Sequence, residues 1–373
     1  MKRATKVLFL MFLLVILFNT SGCCGFLEYM EKTFDPSRKL CVGAFFPDGS
    51  KIACRTRVRR SGRWKDEIWV MDIGGSNALK VAEWEKGGIV FAFFPNDNKH
   101  LLAFSGKKIY LVDVKPKEKK EIYSDILKLR KHDWICAISN DCSKVVLQKR
   151  TKWKFGFWNK HSYSIVNLHT SESVELLPLN KLSSITGGFS FSPDDSSIVF
   201  DNCHNIYSIN VDGTGFRCLT KDANKIYKEI GKWGTERPIF SPDGKLIIFK
   251  TGQSLFIMKR DGAELNKIVE IEEGKGDMYG IGRFTPDSKQ IVFVRTVLAS
   301  TKGVNSGVLI VNTDGTGLRV LVDNEVARGR GFSPDGKIIL FEGSGSGRDQ
   351  RVLYTINLDG SNKKQIFPKP REH

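Results

Sequence analysis

Two stretches of the chain combine closely spaced cations with aromatic rings, residues 55–67 and residues 149–161. Their candidate contact residues are Arg57, Arg59, Arg60, Lys152, Trp153, Lys154 and Trp158. Cations interleaved with aromatic rings suit a polyanion, a sugar face or an anionic membrane surface. Two alternatives stay open. In the first, the arginines form an ordinary solvated surface. In the second, the aromatic residues extend two long strands and pack on a neighbouring part of the protein.

Sequence motifs for catalysis are missing from the chain. It contains no G-x-S-x-G nucleophile elbow, no H-E-x-x-H metal motif and no P-loop. The Gly-Thr-Gly stretches that begin at Gly213 and Gly315 precede no helix pattern, so they predict hairpin turns rather than phosphate cradles. Six histidines are present, and His132, His161 and His204 fall in related loops. We therefore expect a non-catalytic protein without a cofactor, with these three histidines as the candidate metal ligands.

The elements that position these residues come from a repeat that is clearest at residues 332–341, FSPDGKIILF. Phe332 ends one predicted strand. The Ser-Pro-Asp-Gly segment then turns the chain, because proline fixes φ, aspartate caps turn amides and glycine accepts a positive φ. Residues 337–341 are mostly apolar and β-branched, which predicts a buried strand. A strand at 353–358, a hairpin turn at Asp359-Gly360 and a strand at 364–367 complete an antiparallel meander.

Seven copies of this unit follow one another with a period of 44 to 53 residues. Their first strands end at Phe45, Phe93, Ile138, Phe191, Phe240, Phe284 and Phe332. One such sheet cannot bury both of its faces, whereas stacked neighbours can. The repeat therefore predicts an all-β fold, a seven-bladed β-propeller of four-stranded antiparallel blades. Each blade is expected to use its own four strands, so that no exchanged strand closes the ring. The repeated aspartates Asp212, Asp314 and Asp359 are expected to form turns rather than to bind calcium.

The FSPDGK pattern and the IYxxNxDGT pattern at residues 206–214 resemble the TolB-type, WD40-like propeller repeat. The likeness extends from about Lys39 to Phe367. It implies a propeller but no single activity, because propellers host many functions. We expect neither the N-terminal domain of TolB itself nor a peptidase domain. Some TolB-like propellers are lyases of acidic oligosaccharides that hold a metal with histidines in the channel. The alternative function is therefore a metal-dependent lyase in which His132, His161 and His204 converge on a cation.

The N-terminus resembles a bacterial secretion signal. Three cations precede twelve apolar residues at 7–18, a core too short to span a bilayer. The Thr-Ser-Gly-Cys sequence ending at Cys23 resembles the lipobox of bacterial lipoproteins, although Thr20 stands where leucine is preferred. The resemblance implies a lipid on Cys23 and attachment to the outer membrane, facing the periplasm; plain secretion is the alternative. The expected segments are a signal peptide at 1–22, a lipid-anchored tether at 23–38 and the propeller at 39–373.

Besides Cys23 the chain has seven cysteines, so at least one is unpaired within the chain. Cys203 and Cys218 fall near the second and fourth strands of one blade. The spacing of neighbouring strands places them roughly 9 to 10 Å apart, too far for a disulfide bond. We expect the cysteines to serve as small apolar side chains.

Charge is distributed unevenly over the predicted propeller. The formal net charge is +17, and it falls to +14 without the three leader cations. In such a meander, the connections between the second and third strands of all blades emerge at one end of the disc. These connections together carry a formal charge of +13. Nearly all of the excess charge is therefore predicted to lie on one face.

These features predict a binding or scaffold module of the bacterial cell envelope. A basic face suits a protein or an anionic envelope polymer as partner, and the lipid would hold the chain at the membrane. Nucleic acid also fits the charge, but an exported protein seldom meets it. A third hypothesis, a structural partner of a separately encoded enzyme or secretion complex, is not distinguished from the first. The sequence predicts no oligomeric state.

Overall fold

The computed structural model describes residues 42–368 except 61–62, 86–88, 95, 106–107, 115–118, 123–133, 153–158, 177–187, 203, 222, 224–226, 228–234, 271–276, 297–306, 324–327 and 345–350. These residues form 28 β-strands in seven antiparallel sheets of four strands each. Each sheet contains four consecutive strands paired in chain order, and each corresponds to one copy of the repeat. The prediction of a seven-bladed all-β propeller is confirmed. The described part contains no helix that is long and apolar enough to cross a membrane.

The first four blades span the N-terminal half of the propeller. Blade 1 contains β1 (Val42–Phe45), β2 (Lys51–Arg60), β3 (Arg63–Asp72) and β4 (Leu79–Trp84). Blade 2 contains β5 (Ile89–Phe93), β6 (His100–Ser105), β7 (Lys108–Asp113) and β8 (Lys119–Ile122). Blade 3 contains β9 (Trp134–Ile138), β10 (Lys144–Lys152), β11 (Asn159–Asn167) and β12 (Ser173–Glu175). Blade 4 contains β13 (Phe189–Phe191), β14 (Ser197–Asn202), β15 (Asn205–Asn210) and β16 (Arg217–Cys218).

The last three blades have the same strand order. Blade 5 contains β17 (Glu236–Phe240), β18 (Leu246–Thr251), β19 (Ser254–Lys259) and β20 (Asn266–Glu270). Blade 6 contains β21 (Asp277–Phe284), β22 (Gln290–Thr296), β23 (Gly307–Asn312) and β24 (Arg319–Val322). Blade 7 contains β25 (Arg328–Phe332), β26 (Ile338–Ser344), β27 (Arg351–Asn357) and β28 (Lys364–Phe367).

In five of the seven blades, the turn between the first two strands is held by a serine or threonine and the aspartate two residues later. In blade 7 the Ser333 hydroxyl donates to Asp335 Oδ1 at 2.5 Å and accepts from the Ile338 amide at 2.9 Å. The Asp335 carboxylate also accepts from the Lys337 amide at 3.1 Å. The same pairing occurs at Ser139–Asp141, Ser192–Asp194, Ser241–Asp243 and Thr285–Asp287. The hydroxyl and the carboxylate thus accept hydrogen bonds from backbone amides of the same turn.

Hydrogen bonds also connect these turns between neighbouring blades. The Asp48 amide of blade 1 donates to Asn98 Oδ1 of blade 2 at 3.2 Å. The Asn140 amide of blade 3 donates to Asp195 Oδ1 of blade 4 at 2.8 Å. The Asp243 amide of blade 5 donates to the Ser288 hydroxyl of blade 6 at 3.1 Å. The turns thus lie side by side at one end of the disc.

The aspartates of the later hairpins also form turns, as predicted. Asp212 Oδ1 accepts from the amide and the hydroxyl of Thr214 at 2.9 and 2.7 Å. Asp314 makes the same pair of bonds with Thr316, and Asp359 makes them with Ser361. Their side chains thus stabilise the hairpins by capping local backbone amides.

Replacing Ser333 by alanine is expected to lower the free energy of unfolding by about 2 kcal/mol, because a buried amide and a carboxylate lose their partner. Ser333 is 3% exposed. Chemical denaturation of the purified protein measures the change. The control is Ser76→Ala, whose exposed hydroxyl bonds to Asp72 at 3.3 Å and should contribute no more than about 0.5 kcal/mol. Equal losses in both variants would contradict the role of Ser333.

The core of the propeller consists of seven apolar clusters, one at each interface between neighbouring blades. The cluster between blades 7 and 1 closes the ring. Its buried residues are Phe45, Ile52, Cys54, Met71, Leu340, Leu353 and Ile366. No strand is exchanged among the described sheets, and the buried side chains of this cluster join the first blade to the last. This agrees with the prediction that each blade uses its own four strands.

Cysteines contribute to this packing. Cys54 lies in the cluster between blades 7 and 1, and Cys142 is buried beside the carbonyl of Phe93. Burial raises the pKa of the Cys136 thiol to about 12 and that of Cys142 to about 11, which disfavours the reactive thiolate. Cys218 is partly buried, whereas Cys203 lies outside the described residues. The prediction about the separation of Cys203 and Cys218 stays a prediction.

Candidate binding face

The basic run of blade 1 forms a long hairpin rather than the predicted loop. Strands β2 and β3 contain ten residues each and are paired from Lys51–Asp72 to Arg60–Arg63. Residues 55–60 and 63–67 are therefore parts of strands, and we call them the blade 1 basic hairpin. The sequence did not predict these strand extensions, because charged residues stand where a strand pattern has apolar ones. The register shows what stabilises them, since Arg57 lies directly opposite Asp66.

Two acidic residues in the blade 1 basic hairpin are buried and paired with cations. Arg57 Nε and Nη2 donate to Asp66 Oδ1 and Oδ2 at 3.1 and 3.3 Å, and Asp66 is 3% exposed. Glu67 is also buried, and its Oε2 accepts from the Trp69 indole at 2.9 Å. Arg57, one of the candidate contact residues, is itself about three-quarters covered. It therefore has a structural role, because it neutralises a buried carboxylate.

A second ionic group lies along the outer edge of this hairpin. Glu83 of β4 accepts from Lys65 Nζ at 2.5 Å and from Lys80 Nζ at 2.8 Å. These two hydrogen bonds lower the pKa of Glu83 to about 2. Lys80 Nζ also lies 3.5 Å from Glu67 Oε1. The outer half of the hairpin is thus held to β4 by charge.

Replacing Arg57 by glutamate is expected to lower the free energy of unfolding by roughly 2–4 kcal/mol, because Asp66 would face a second carboxylate in a buried site. Thermal and chemical unfolding of the purified protein measure the loss. The matched control is Arg63→Glu in the same hairpin, since Arg63 is exposed and a surface change there costs no more than about 0.5 kcal/mol. An unchanged stability in the Arg57 variant would show that Asp66 does not require this partner.

The basic stretch of blade 3 also continues its strands. Strands β10 and β11 contain nine residues each and pair out to Lys152 and Asn159. We call residues 144–152 and 159–167 the blade 3 basic hairpin. Lys152 occupies the end of β10, while Trp153, Lys154 and Trp158 lie outside the described residues. The prediction that these residues contact a partner stays a prediction.

The two basic hairpins stand on either side of a shorter one. In blade 2, strands β6 and β7 contain six residues each and end at Ser105 and begin at Lys108. The three second strands start from neighbouring turns, so their lengths set how far each hairpin projects. At about 3.3 Å per residue, the hairpins of blades 1 and 3 project roughly 10–13 Å beyond that of blade 2. The described strands of the two basic hairpins thus extend past those of blade 2, and we call the space between these extended strands the groove above blade 2.

For some residues beside this groove the structure gives the exposure, and for others it gives only the position in the strand. Arg59 and Arg60 lie at the end of β2, opposite Trp64 and Arg63 in the register. Arg63 is exposed at the start of β3 and was not among the predicted contact residues. Only the register, which places it opposite Arg60 at the hairpin tip, identifies it as a candidate. Lys149 of β10 is also exposed.

The structure describes two of the three candidate metal ligands, and for one of these it gives only the strand position. His161 lies in β11 opposite Arg150, and His204 is exposed in the short turn between β14 and β15. His132 lies outside the described residues. Across the part of the chain that is described, no three side chains of histidine, cysteine, aspartate or glutamate are arranged to hold a metal ion. The prediction that His132, His161 and His204 converge on a cation therefore stays a prediction.

Comparison with known structures gives propellers of similar architecture. The oligogalacturonate lyase of Vibrio parahaemolyticus is 14% identical, with a TM-score of 0.63 over 86% of this chain and 91% of that chain. An oligogalacturonate lyase in complex with manganese is 18% identical, with a TM-score of 0.61 over 84% and 87%. The β-propeller domain of the trilobed protease of Pyrococcus furiosus is 14% identical, with a TM-score of 0.52 over 77% and 84%. At such low identity these likenesses show the fold alone.

Sequence comparison assigns the family. A search of curated proteins found no match. A family model described as the TolB beta propeller domain matches residues 157–371, which is more than half of the chain and includes the last four blades. The repeat pattern, the seven four-stranded sheets and this match agree with one another. The chain therefore belongs to the TolB β-propeller domain family.

Proposed function

We propose that this protein is a non-catalytic binding module of the cell envelope that holds an acidic partner in the groove above blade 2. The observation that carries the proposal is the placement of two extended basic hairpins on either side of a shorter one. An acidic protein segment or an anionic envelope polymer lying in this groove would meet cations from both sides. The propeller supplies the rigid support, because every blade is packed between two neighbours.

The charge of the groove supports an acidic partner. Within the blade 1 basic hairpin, the two acidic residues are buried and already paired, so they contribute little negative charge to the surface. Arg63 is exposed, and Arg59 and Arg60 occupy the neighbouring strand end. Clustered cations attract acidic partners and accelerate their association, and salt weakens the effect.

Binding to acidic probes tests this proposal. The purified full chain is titrated with polyglutamate and, separately, with vesicles that contain a tenth to a third anionic lipid. Binding is measured at low and at physiological ionic strength. We expect saturable binding to at least one probe that weakens as salt is added, because the Debye length falls from about 30 Å at 0.01 M to about 8 Å at 0.15 M. Binding that is equal at both salt concentrations would contradict an electrostatic groove.

We also propose that a lipid on Cys23 holds the protein at the membrane of the cell envelope. The support is the basic and apolar leader followed by the lipobox-like sequence, all of which lies outside the described residues. A lipid anchor would present the propeller to partners at the envelope surface, at the end of the 23–38 tether.

Replacing Cys23 by serine is expected to move the protein from the membrane fraction to the soluble envelope fraction and to abolish incorporation of a labelled fatty acid. The reason is that the thiol of Cys23 carries the first acyl group. The matched control is Cys24→Ser, which leaves Cys23 in place and should change neither readout. A Cys23 variant that stays in the membrane fraction, with a wild type that takes up no label, would contradict lipidation.

A further inference from the structure

In a propeller the first strands of the blades surround the central channel. Among the described first strands, charged residues occur in three neighbouring blades. Around the ring, β13 lies next to β17, β17 next to β21, β21 next to β25 and β25 next to β1. The first strands of blades 1 to 4 contain no charged residue. Those of blades 5 to 7 contain the four arginines Arg237, Arg283, Arg328 and Arg330, against Glu236 and Asp277.

Arg237 is held in an unusual backbone conformation. Its φ is +51°, in the left-handed region, and the register of β17 with β18 is interrupted between Glu236 and Ile239. Such a conformation in a residue other than glycine persists only where the surroundings enforce it, and it often occurs at functional sites. A bulge next to a site can also redirect a side chain. The Arg237 side chain is exposed.

The neighbouring blade enforces this conformation through a buried carboxylate. Asp201 of β14 is fully buried, and its Oδ1 accepts from the Gly188 amide at 3.1 Å and from the Arg237 amide at 3.4 Å. A Cβ atom at Gly188 would lie 2.4 Å from Arg237 Cα, so only glycine fits there. Beside them, the buried Thr235 hydroxyl has no hydrogen-bond partner among the described residues. The hydrogen bonds of Asp201 and the close approach of Gly188 therefore fix the backbone at Arg237.

Arg283 is the second exposed arginine of this wall. It precedes Phe284 in β21, the strand that follows β17 around the channel. Guanidinium groups bind carboxylate and phosphate through pairs of parallel hydrogen bonds, which a single ammonium group does not provide. Four arginines on three adjacent strands, opposite an uncharged wall, favour a ligand with anionic oxygen atoms.

We propose that the channel wall formed by β17, β21 and β25 is an anion-binding site, in which Arg237 and Arg283 bind a carboxylate or phosphate group of a small ligand. The site is separate from the groove above blade 2, and it uses different blades. Asp201 is a positioning residue, because it fixes the backbone from which Arg237 extends.

The test is binding of inorganic phosphate and of succinate to the purified full chain, measured by calorimetry and by the thermal midpoint against sodium chloride of equal ionic strength. We expect saturable binding of at least one anion. Phosphate alone would identify a phosphate ligand, and succinate alone or both would identify a carboxylate-compatible site. The double variant Arg237→Gln/Arg283→Gln should weaken binding about tenfold or more, because charged hydrogen bonds are lost. Arginine and glutamine both have a Cβ atom, so the substitution does not change how well position 237 tolerates its left-handed backbone conformation.

Three further variants make the result specific. Lysine at both positions keeps the charge but removes the paired donors, so binding should weaken there as well; this variant replaces the glutamine one if the latter does not fold. The control Lys245→Gln/Lys289→Gln, on exposed lysines beside the turns, should bind as the wild type does. Arg63→Gln should also leave the anion affinity unchanged, which separates this site from the groove. No saturation beyond the chloride control, or equal affinity in the glutamine variant, would overturn the proposal.

Discussion

Reversing Arg59, Arg60 and Lys152 to glutamate should abolish binding of acidic probes to the groove above blade 2. The three positions lie at the ends of β2 and β10, where the basic hairpins of blades 1 and 3 project beyond blade 2. The variant replaces attraction by repulsion on both sides of the groove. Like charges across an interface cost several kcal/mol, so we expect the affinity for polyglutamate or anionic vesicles to fall at least about 100-fold at low salt.

The matched control reverses three lysines beside the turns at the opposite end of the disc, Lys245, Lys289 and Lys337. All three are exposed, and their reversal changes the net charge by the same amount. The control should retain most of its affinity, and its thermal midpoint should stay close to that of the wild type. If both triple variants bind equally well, net charge rather than the groove determines binding, and the proposed site is wrong.

The second large effect concerns closure of the ring. Replacing Leu353 by alanine should lower the free energy of unfolding by about 3 kcal/mol, because the methyl groups of a fully buried leucine leave a cavity. A Cβ atom at Gly43 of blade 1 would lie 3.1 Å from both Leu353 methyl carbons, so this leucine packs directly on the first strand of the propeller. Chemical denaturation measures the loss.

Local opening should distinguish Leu353 from an ordinary core residue. We expect faster amide exchange in β1 and β28 of the variant, because the described strands of blades 7 and 1 are joined by this apolar cluster rather than by a shared sheet. The control is Leu309→Ala in the cluster between blades 5 and 6, which should lose similar stability but leave exchange in β1 and β28 unchanged. Faster exchange at those strands in both variants would indicate that the ring opens as a whole.

The repeat made the fold predictable from the sequence. Phenylalanine and proline recur at this turn in six of the seven blades, because the turns need similar backbone conformations, and these residues are visible without a structure. In blade 7, Ser333 and Asp335 make their hydrogen bonds within six residues of one another. Such local bonds depend on sequence alone, so the number of blades and the position of each turn follow from it.

The candidate sites depend on contacts between distant residues, and the sequence did not reveal them. The length of the blade 1 basic hairpin depends on Arg57 pairing with Asp66 across two strands, which a pattern along one strand does not show. Arg237 was not identified because its conformation is fixed by Asp201, 36 residues earlier and in another blade. Arg63 required the register of β2 with β3. Side-chain pairing across strands and blades is therefore what limits prediction of binding residues in this chain.

The capped turns make the stability of the folded protein depend on pH. Hydrogen bonds from Ser192 and Ser333 hold the pKa values of Asp194 and Asp335 below the ordinary value, and those from Thr214, Thr316 and Ser361 do the same for Asp212, Asp314 and Asp359. In the unfolded chain these carboxylates return to about 3.9. Below that pH the unfolded chain binds more protons than the folded protein, so unfolding takes up protons. The stabilisation from these hydrogen bonds is complete above the unfolded-state pKa, and it is lost as the pH falls through the lower pKa values of the folded protein. Because such turns recur along the chain, these carboxylates contribute together, and acid acts on blades 4, 6 and 7 at once rather than on one weak point.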